Sequence, residues 1–101
     1  MNKTIAIAND HAGLALKHLL LPHIAGLGFA PLDLGTNSAD SVDYPDYGDA
    51  VARAILDGKA AQGIAICGSG IGISIAANRH TGIRAALCSS GLAAELSRQH
   101  N

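Results

Sequence analysis

Charged and aromatic side chains are scarce in this sequence. Charged residues make up 15% of the 101 positions and aromatic residues only 3%, and the formal net charge is −1. Without a basic cluster, the chain lacks the positive surface that attracts nucleic acids and anionic membranes. Three aromatic rings also offer little surface on which bases could stack. These shortages argue against a nucleic-acid partner and against a membrane-bound role.

Long apolar runs, metal-ligand spacings and disulfide spacings are also missing. No run reaches the roughly 18 apolar residues of a membrane span, and the first residues enter a strand-like run with no signal peptide. Two cysteines, Cys67 and Cys88, lie at the ends of predicted strands, which suits a reducing cytoplasm. The five histidines and two cysteines show no metal-binding spacing, and no lysine follows the glycine-rich turn as a phosphate loop requires. We therefore expect a cytoplasmic protein with no metal and no cofactor.

Apolar residues, by contrast, are abundant, at 49% of the chain. A chain of this length forms one domain, residues 1–101. So small and apolar a domain cannot cover all of its own apolar surface. Part of that surface is expected to be buried against another subunit.

Apolar strand-like runs alternate with helical patterns along the chain. Strands are predicted at residues 3–8, 29–34, 64–66 and 83–88, and helices at 12–27, 47–56, 73–78 and 91–100. Right-handed crossovers between such units produce a parallel sheet. The predicted fold is a three-layer, Rossmann-like α/β sandwich with a mostly parallel sheet of about four strands.

Several boundaries follow from single residues. Pro22 is expected to kink the first helix or to split off its last turn. Pro31 places the second strand at or near an edge of the sheet. A long polar connection, residues 35–47, precedes a helix that Asp46 is expected to cap. Ser89 or Ser90 can cap the last helix.

The stretch from 63 to 79, GIAICGSGIGISIAANR, is the centre of the sequence. A buried strand runs into a glycine-rich turn that opens a helix, so free backbone N–H groups are available to an anion. A thiol at the head of this turn, Cys67, lies where the helix dipole favours the thiolate. We expect Cys67 to handle a proton and the backbone of residues 68–72 to hold the negative charge. The alternative for Cys67 is a small buried apolar residue.

The carboxyl ends of parallel strands meet at one edge, where ligands bind. That edge would collect Asp10, His11, the 35–47 connection, the 67–72 turn and residues 88–90. Asp10 could instead only cap a helix, and Cys88, which has no glycine turn, is expected to be inert. Exposed surface positions are expected for His18, His23 and His80, and a frayed end for His100.

A dinucleotide site is the weakest reading of the central turn. Its glycines read GxGxG rather than GxGxxG, and the turn follows the third strand rather than the first. A nucleotide-dependent oxidoreductase is therefore the least favoured function.

Six segments together resemble one family: IAIANDHAG, DLGT, VDYPDYG, AICGSGIGISIAANR, GIRAALCSS and LSRQHN. They run in the order found in ribose-5-phosphate isomerase B, a family that includes the subunits of galactose-6-phosphate isomerase. The resemblance implies the same Rossmann-like fold and a homodimer or homotetramer with shared active sites. It also implies a metal-free aldose–ketose isomerisation of a sugar phosphate through a cis-enediolate.

The resemblance assigns catalytic roles to three residues. Cys67 resembles the base that moves a proton between C1 and C2. Ser69 resembles the residue that assists proton movement at the substrate oxygens. His100 resembles the residue that opens the furanose ring. The remaining residues of the implied site bind the substrate or its enediolate: Asp10, His11, Tyr44, Gly68, Gly70, Ile71, Gly72 and Asn101.

The sequence differs from the family in one respect. Family members continue past SRQHN with a further strand and a long helix, which carry phosphate-binding arginines, whereas this sequence stops at Asn101. Two alternatives therefore stay open beside a ribose 5-phosphate isomerase. One is an isomerase of a six-carbon sugar phosphate, and the other is a non-catalytic subunit that binds a phosphorylated ligand.

Overall fold

Three short apolar strands form a parallel sheet in the computed structural model, which describes residues Met1–Asn101. They are β1 (Thr4–Asn9), β2 (Ala30–Asp33) and β3 (Gln62–Ile66), in the order β2-β1-β3. In the ladder, Ile7 lies beside Asp33 on one side and beside Ile64 on the other. The central strand β1 is buried over its last four residues, as expected of a strand covered on both faces.

The chain also forms four α-helices, of which the first three pack against the sheet. A 3₁₀ turn (His11–Gly13) leads into α1 (Leu14–Gly26), and α2 (Tyr44–Leu56), α3 (Ile71–Asn78) and α4 (Gly91–His100) follow. None of them has the length and apolar character needed to cross a membrane. The three-layer α/β fold predicted from the sequence is thereby confirmed.

The alternation of side chains along β1 builds the two halves of the core. Ala6 and Ala8 point to one face and pack with Val51 and Ala54 of α2. Ile7 points to the other face, where it packs with Ile24 of α1 and Ile66. Because successive strand residues face opposite sides, one strand supplies both layers.

The predicted fourth strand, residues 83–88, is wrong. These residues form no ladder. The Asn78 side chain donates to the Ala85 carbonyl at 2.8 Å and accepts from its N–H at 2.7 Å, and the Ile83 N–H donates to the His80 carbonyl at 3.1 Å. No backbone hydrogen bond joins them to β3. Helix α4, which follows, has no buried residue, so nothing presses this segment onto the open edge of β3.

Two helix boundaries also differ from the prediction. Helix α1 runs through Pro22 and keeps its last turn, so the second of the two expected effects of Pro22 is wrong. Pro22 and His18 are both exposed, so water can reach the carbonyl that the proline leaves unpaired. Helix α2 starts at Tyr44 with Asp43 as its N-cap residue, so Asp46 lies in the first turn instead of capping it. Pro45 suits this early start because its fixed φ matches the first helical positions.

Three further expectations agree with the structure. Strand β2 lies at an edge and includes Pro31, which pairs with Ile5. Helix α3 ends at Asn78, as predicted. Ser90 caps α4, its hydroxyl oxygen accepting from the Ala93 N–H at 3.1 Å.

Candidate functional site

The turn after β3 holds the thiol of Cys67 against a backbone amide. Cys67 is half-buried, and its Sγ accepts a hydrogen bond from the Gly70 N–H at 3.2 Å. Gly70 has a φ of 80° and serves as the N-cap of α3. A side chain there would be strained, and its Cβ would lie 2.6 Å from Leu87 Cδ1. The glycine therefore lets the turn fold back onto the sulfur.

The turn and the first residues of α3 also contain backbone N–H groups that have no acceptor. The Ile71 N–H donates to the Ser69 hydroxyl oxygen at 3.1 Å, which closes the turn locally. Four other N–H groups donate to no acceptor of the protein, those of Gly68, Ser69, Gly72 and Ile73. They lie at the positive end of the α3 dipole, where unpaired donors favour an anion.

The end of β1 supplies a carboxylate. Asp10 is 7% exposed, and its Oδ1 accepts from the Gly13 N–H at 3.1 Å, so it does cap the 3₁₀ turn. Its own N–H donates to the Ile66 carbonyl at 3.1 Å, which ties the ends of β1 and β3 together. The cap uses one carboxylate oxygen and leaves the other available for a further contact.

The ring of His11 is oriented by the connection before α2. Its Nδ1 accepts from the Val42 N–H at 3.2 Å. A neutral imidazole that accepts at Nδ1 carries its proton on Nε2. His11 therefore offers a hydrogen-bond donor at Nε2.

Tyr44 lies directly against the glycine turn. A Cβ on Gly72 would lie 2.4 Å from Cε1 of the Tyr44 ring, so only glycine leaves room for it. The ring is 42% exposed. Tyr44 thus stands beside the free amides of the turn, with part of its surface open to a ligand.

A largely apolar cleft of about 1100 Å³ lies between β3 and residues 83–101. Cys67, Ser69 and Gly70 line one side, and Cys88 and Asn101 line it as well. His100 is exposed and does not line this cleft. The structure contains no group of three or more His, Cys, Asp or Glu side chains that could hold a metal ion.

A family model described as Ribose/Galactose Isomerase matches residues 5–101. The chain belongs to this family. It is 50% identical over 99 residues to ribose-5-phosphate isomerase B of Escherichia coli, covering 98% of this chain and 66% of that relative. It is 42% identical over 102 residues to a probable ribose-5-phosphate isomerase B of Mycoplasma pneumoniae, of which it covers 67%.

Solved structures of family members have the same fold. Ribose-5-phosphate isomerase B of Clostridium thermocellum superposes with a TM-score of 0.93 at 46% identity, over 96% of this chain and 66% of that one. The type B enzyme of Trypanosoma brucei also gives 0.93, at 45% identity, over 99% and 68%. The chain therefore spans about two thirds of the length of these relatives.

The family expected from the six sequence segments is thereby confirmed. Most of the expected site residues follow the carboxyl ends of β1 and β3 or lie against the turn after β3: Asp10, His11, Tyr44 and Cys67 to Gly72. Of these, Cys67, Ser69 and Gly70 line the cleft, whereas Tyr44 and Gly72 line a separate pocket between α2 and α3. Asn101 reaches the same cleft as Cys67 from α4. His100 does not, and the individual role of each residue stays a prediction.

Sequence reasoning misjudged one histidine and missed a lysine. His80, expected on the open surface, is only 23% exposed, and its Nε2 lies 2.6 Å from Asp49 Oδ1. Lys17, a residue type that is usually exposed, is fully buried. The signal for Lys17 was its spacing, because it is four residues after Gly13 and seven before Ile24, both on the buried stripe of this helix.

Proposed function

We propose that this chain carries the active site of a cytoplasmic aldose–ketose isomerase that interconverts ribose 5-phosphate and ribulose 5-phosphate. The observation that carries the proposal is the thiol of Cys67 at an open cleft, beside a turn with four unpaired N–H groups. Membership of the ribose/galactose isomerase family supports the substrate class.

The chemistry needs a base and a place for negative charge. In the ring-opened aldose, the Cys67 thiolate takes the proton from C2, so that a C–H bond breaks and an S–H bond forms. The electron pair moves onto the carbonyl oxygen and produces an enediolate. Returning the proton to C1 completes the ketose, and no electrons leave the substrate.

The turn would stabilise the enediolate and so allow a thiolate to deprotonate such a weak carbon acid. A well-placed donor to a developing oxyanion contributes about 10²–10³ in rate. The unpaired N–H groups of Gly68, Ser69 and Gly72 would be donors of this kind, and the fold already fixes their positions. Ser69 would pass a proton between the two substrate oxygens, and Asn101 would contact the enediolate from across the cleft.

The other residues would hold the sugar. His11 would donate from Nε2 to a substrate oxygen, with Asp10 and Tyr44 binding hydroxyl groups nearby. His100 would open the furanose ring, which requires α4 to sit closer to the cleft than it does in the isolated chain. A homodimer or homotetramer, for which the exposed apolar residues of α4 (Leu92 and Leu96) provide surface, would hold α4 in place.

The test is the conversion of ribose 5-phosphate by the purified protein and by two matched variants. Cys67→Ala should lose at least about 10³-fold in turnover, as expected when a base is removed. Cys88→Ala is the control, because Cys88 is also free and lines the same cleft but faces no glycine turn. Equal activity of the Cys67→Ala variant and the wild-type protein would refute the proposed base.

A second candidate, favoured by the position of His100 outside the cleft, is a subunit that binds the sugar phosphate without converting it. Thermal stabilisation by ribose 5-phosphate without turnover would select this candidate. Turnover of galactose 6-phosphate in preference to ribose 5-phosphate would instead select the six-carbon isomerase.

A further inference from the structure

Lys17 is the one charged lysine in the interior, and the chain surrounds it completely. It is 0% exposed and is the largest fully buried side chain of the protein. Burying an ammonium group is costly unless every one of its protons finds an acceptor. The hydrogen-bond partners of Lys17 therefore show which part of the chain the buried ammonium group stabilises.

The ammonium group bonds to three groups at the start of the connection before α2. Its Nζ donates to the Thr36 carbonyl at 2.7 Å, to Asn37 Oδ1 at 2.6 Å and to Asp33 Oδ1 at 3.3 Å. Three acceptors match the three protons of an ammonium group. The two shortest bonds go to the connection and not to the carboxylate, so the lysine does more than neutralise Asp33.

Thr36 is fixed from a second side by the end of β1. The side-chain N–H of Asn9 donates to the Thr36 carbonyl at 3.1 Å and to the Asp10 carbonyl at 2.9 Å. The Thr36 N–H donates to the Asn9 carbonyl at 3.3 Å. Lys17 and Asn9 together therefore pin the first residues of the connection next to Asp10 and His11.

The rest of the connection depends on this anchor. Its further bonds are short-range ones between exposed groups, from the Ser38 N–H to Thr36 Oγ1 at 3.3 Å and from the Asp40 N–H to Ser38 Oγ at 3.0 Å. Two residues later, the Val42 N–H donates to His11 Nδ1. The anchored residues, these short-range bonds and the backbone of residues 40–42 thus connect the buried ammonium to the histidine ring.

We propose that Lys17 is a positioning residue for His11: its buried ammonium anchors residues 36–42, and this segment holds the His11 ring with its proton on Nε2. The substrate-binding role of His11 rests on the proposed function, whereas the positioning itself does not. Losing the anchor should therefore change the state of His11 whether or not the chain is an active isomerase.

Asn37 offers the cleanest test because it is exposed and contributes one bond to the ammonium. Asn37→Ala removes that bond, and Asn37→Asp restores an acceptor of the same reach. Lys17→Met removes the whole anchor, and Lys59→Met makes the same chemical change at an exposed lysine. If Lys17→Met fails to fold, the two Asn37 variants decide.

The readouts are the ¹⁵N shifts of the His11 ring at about pH 8, where imidazoles are neutral, and hydrogen exchange of the Val42 amide. The wild-type, Asn37→Asp and Lys59→Met proteins should show the Nε2–H tautomer and a protected amide. In Asn37→Ala the amide should exchange about tenfold faster, the effect of one lost hydrogen bond, and the ring should show mixed tautomers. With ribose 5-phosphate as substrate, KM should rise about tenfold with a smaller change in kcat.

Each outcome has one meaning. Unchanged His11 shifts and Val42 exchange in Asn37→Ala would overturn the proposal, as would a lower melting temperature with an unaltered ring, which marks a merely structural lysine. Altered shifts in a protein whose wild-type form has no turnover would support the positioning and refute the proposed function.

Discussion

The Sγ atom of Cys67 accepts a hydrogen bond from the Gly70 N–H at 3.2 Å, within a turn of four residues. Gly70 makes this contact with a φ of 80°, a backbone conformation that residues other than glycine rarely adopt. The position of the thiol therefore depends on the backbone conformation of Gly70. The site should be sensitive to any change at Gly70.

Gly70→Ala should lower turnover about 10²-fold, the effect of misplacing one oxyanion donor, because the added Cβ is strained and meets Leu87. The matched control is Gly28→Ala, at φ 90° with nothing within 4 Å of its Cβ. Both variants should lose about 1–2 kcal/mol of unfolding free energy from strain, measured by urea titration. Only the Gly70 variant should lose activity, and equal activity losses would contradict this account of the turn.

The carboxylate of Asp49 joins α2 to α3 through His80. Its Oδ2 also lies 2.9 Å from Nε of Arg53, which is 69% exposed, whereas His80 is 23% exposed. A double-mutant cycle with alanine should give a coupling of about 0.5–1 kcal/mol for Asp49 and His80 and about 0.3 kcal/mol for Asp49 and Arg53. A larger coupling to Arg53 would show that the less exposed partner is not the stronger one.

Ser90 should stabilise α4 against local unfolding without affecting the rest of the fold. Ser90→Ala removes an N-cap worth about 1 kcal/mol, and α4 has no buried residue to compensate. Amide exchange in α4 should therefore become about fivefold faster while the global unfolding free energy stays constant. Ser97→Ala, which loses only a bond to the Ala94 carbonyl, is the control. A global loss of stability would mean that α4 belongs to the core.

The sequence was sufficient for the features that depend on local pattern. The strand, turn and helix around Cys67 follow from a buried apolar run, spaced glycines and a helical period, and the structure has them in that order. The rule that ligands bind at the carboxyl edge of a parallel sheet predicts that Asp10 and His11 lie on the same edge as this turn. The family followed from segments spread along the whole chain.

The features that the sequence did not predict depend on partners that are distant along the chain. Whether residues 83–88 pair with β3 is decided by what packs α4 against the sheet, and no local pattern contains that information. Lys17 and His80 look like surface residues until Asn37, Thr36 and Asp49 are folded around them. The spacing of Lys17 along α1 indicates only that it is buried, and the partners of both side chains arise from tertiary contacts.

The central claim is that the sulfur of Cys67 removes hydrogen from carbon. Ribose 5-phosphate labelled with deuterium at C2 tests it most directly, because a proton taken by a thiol exchanges with water before it is returned. The account predicts that the wild-type protein and Cys88→Ala release deuterium to the solvent, and that Cys67→Ala leaves the label on carbon. Release of deuterium by Cys67→Ala at the wild-type rate would contradict it.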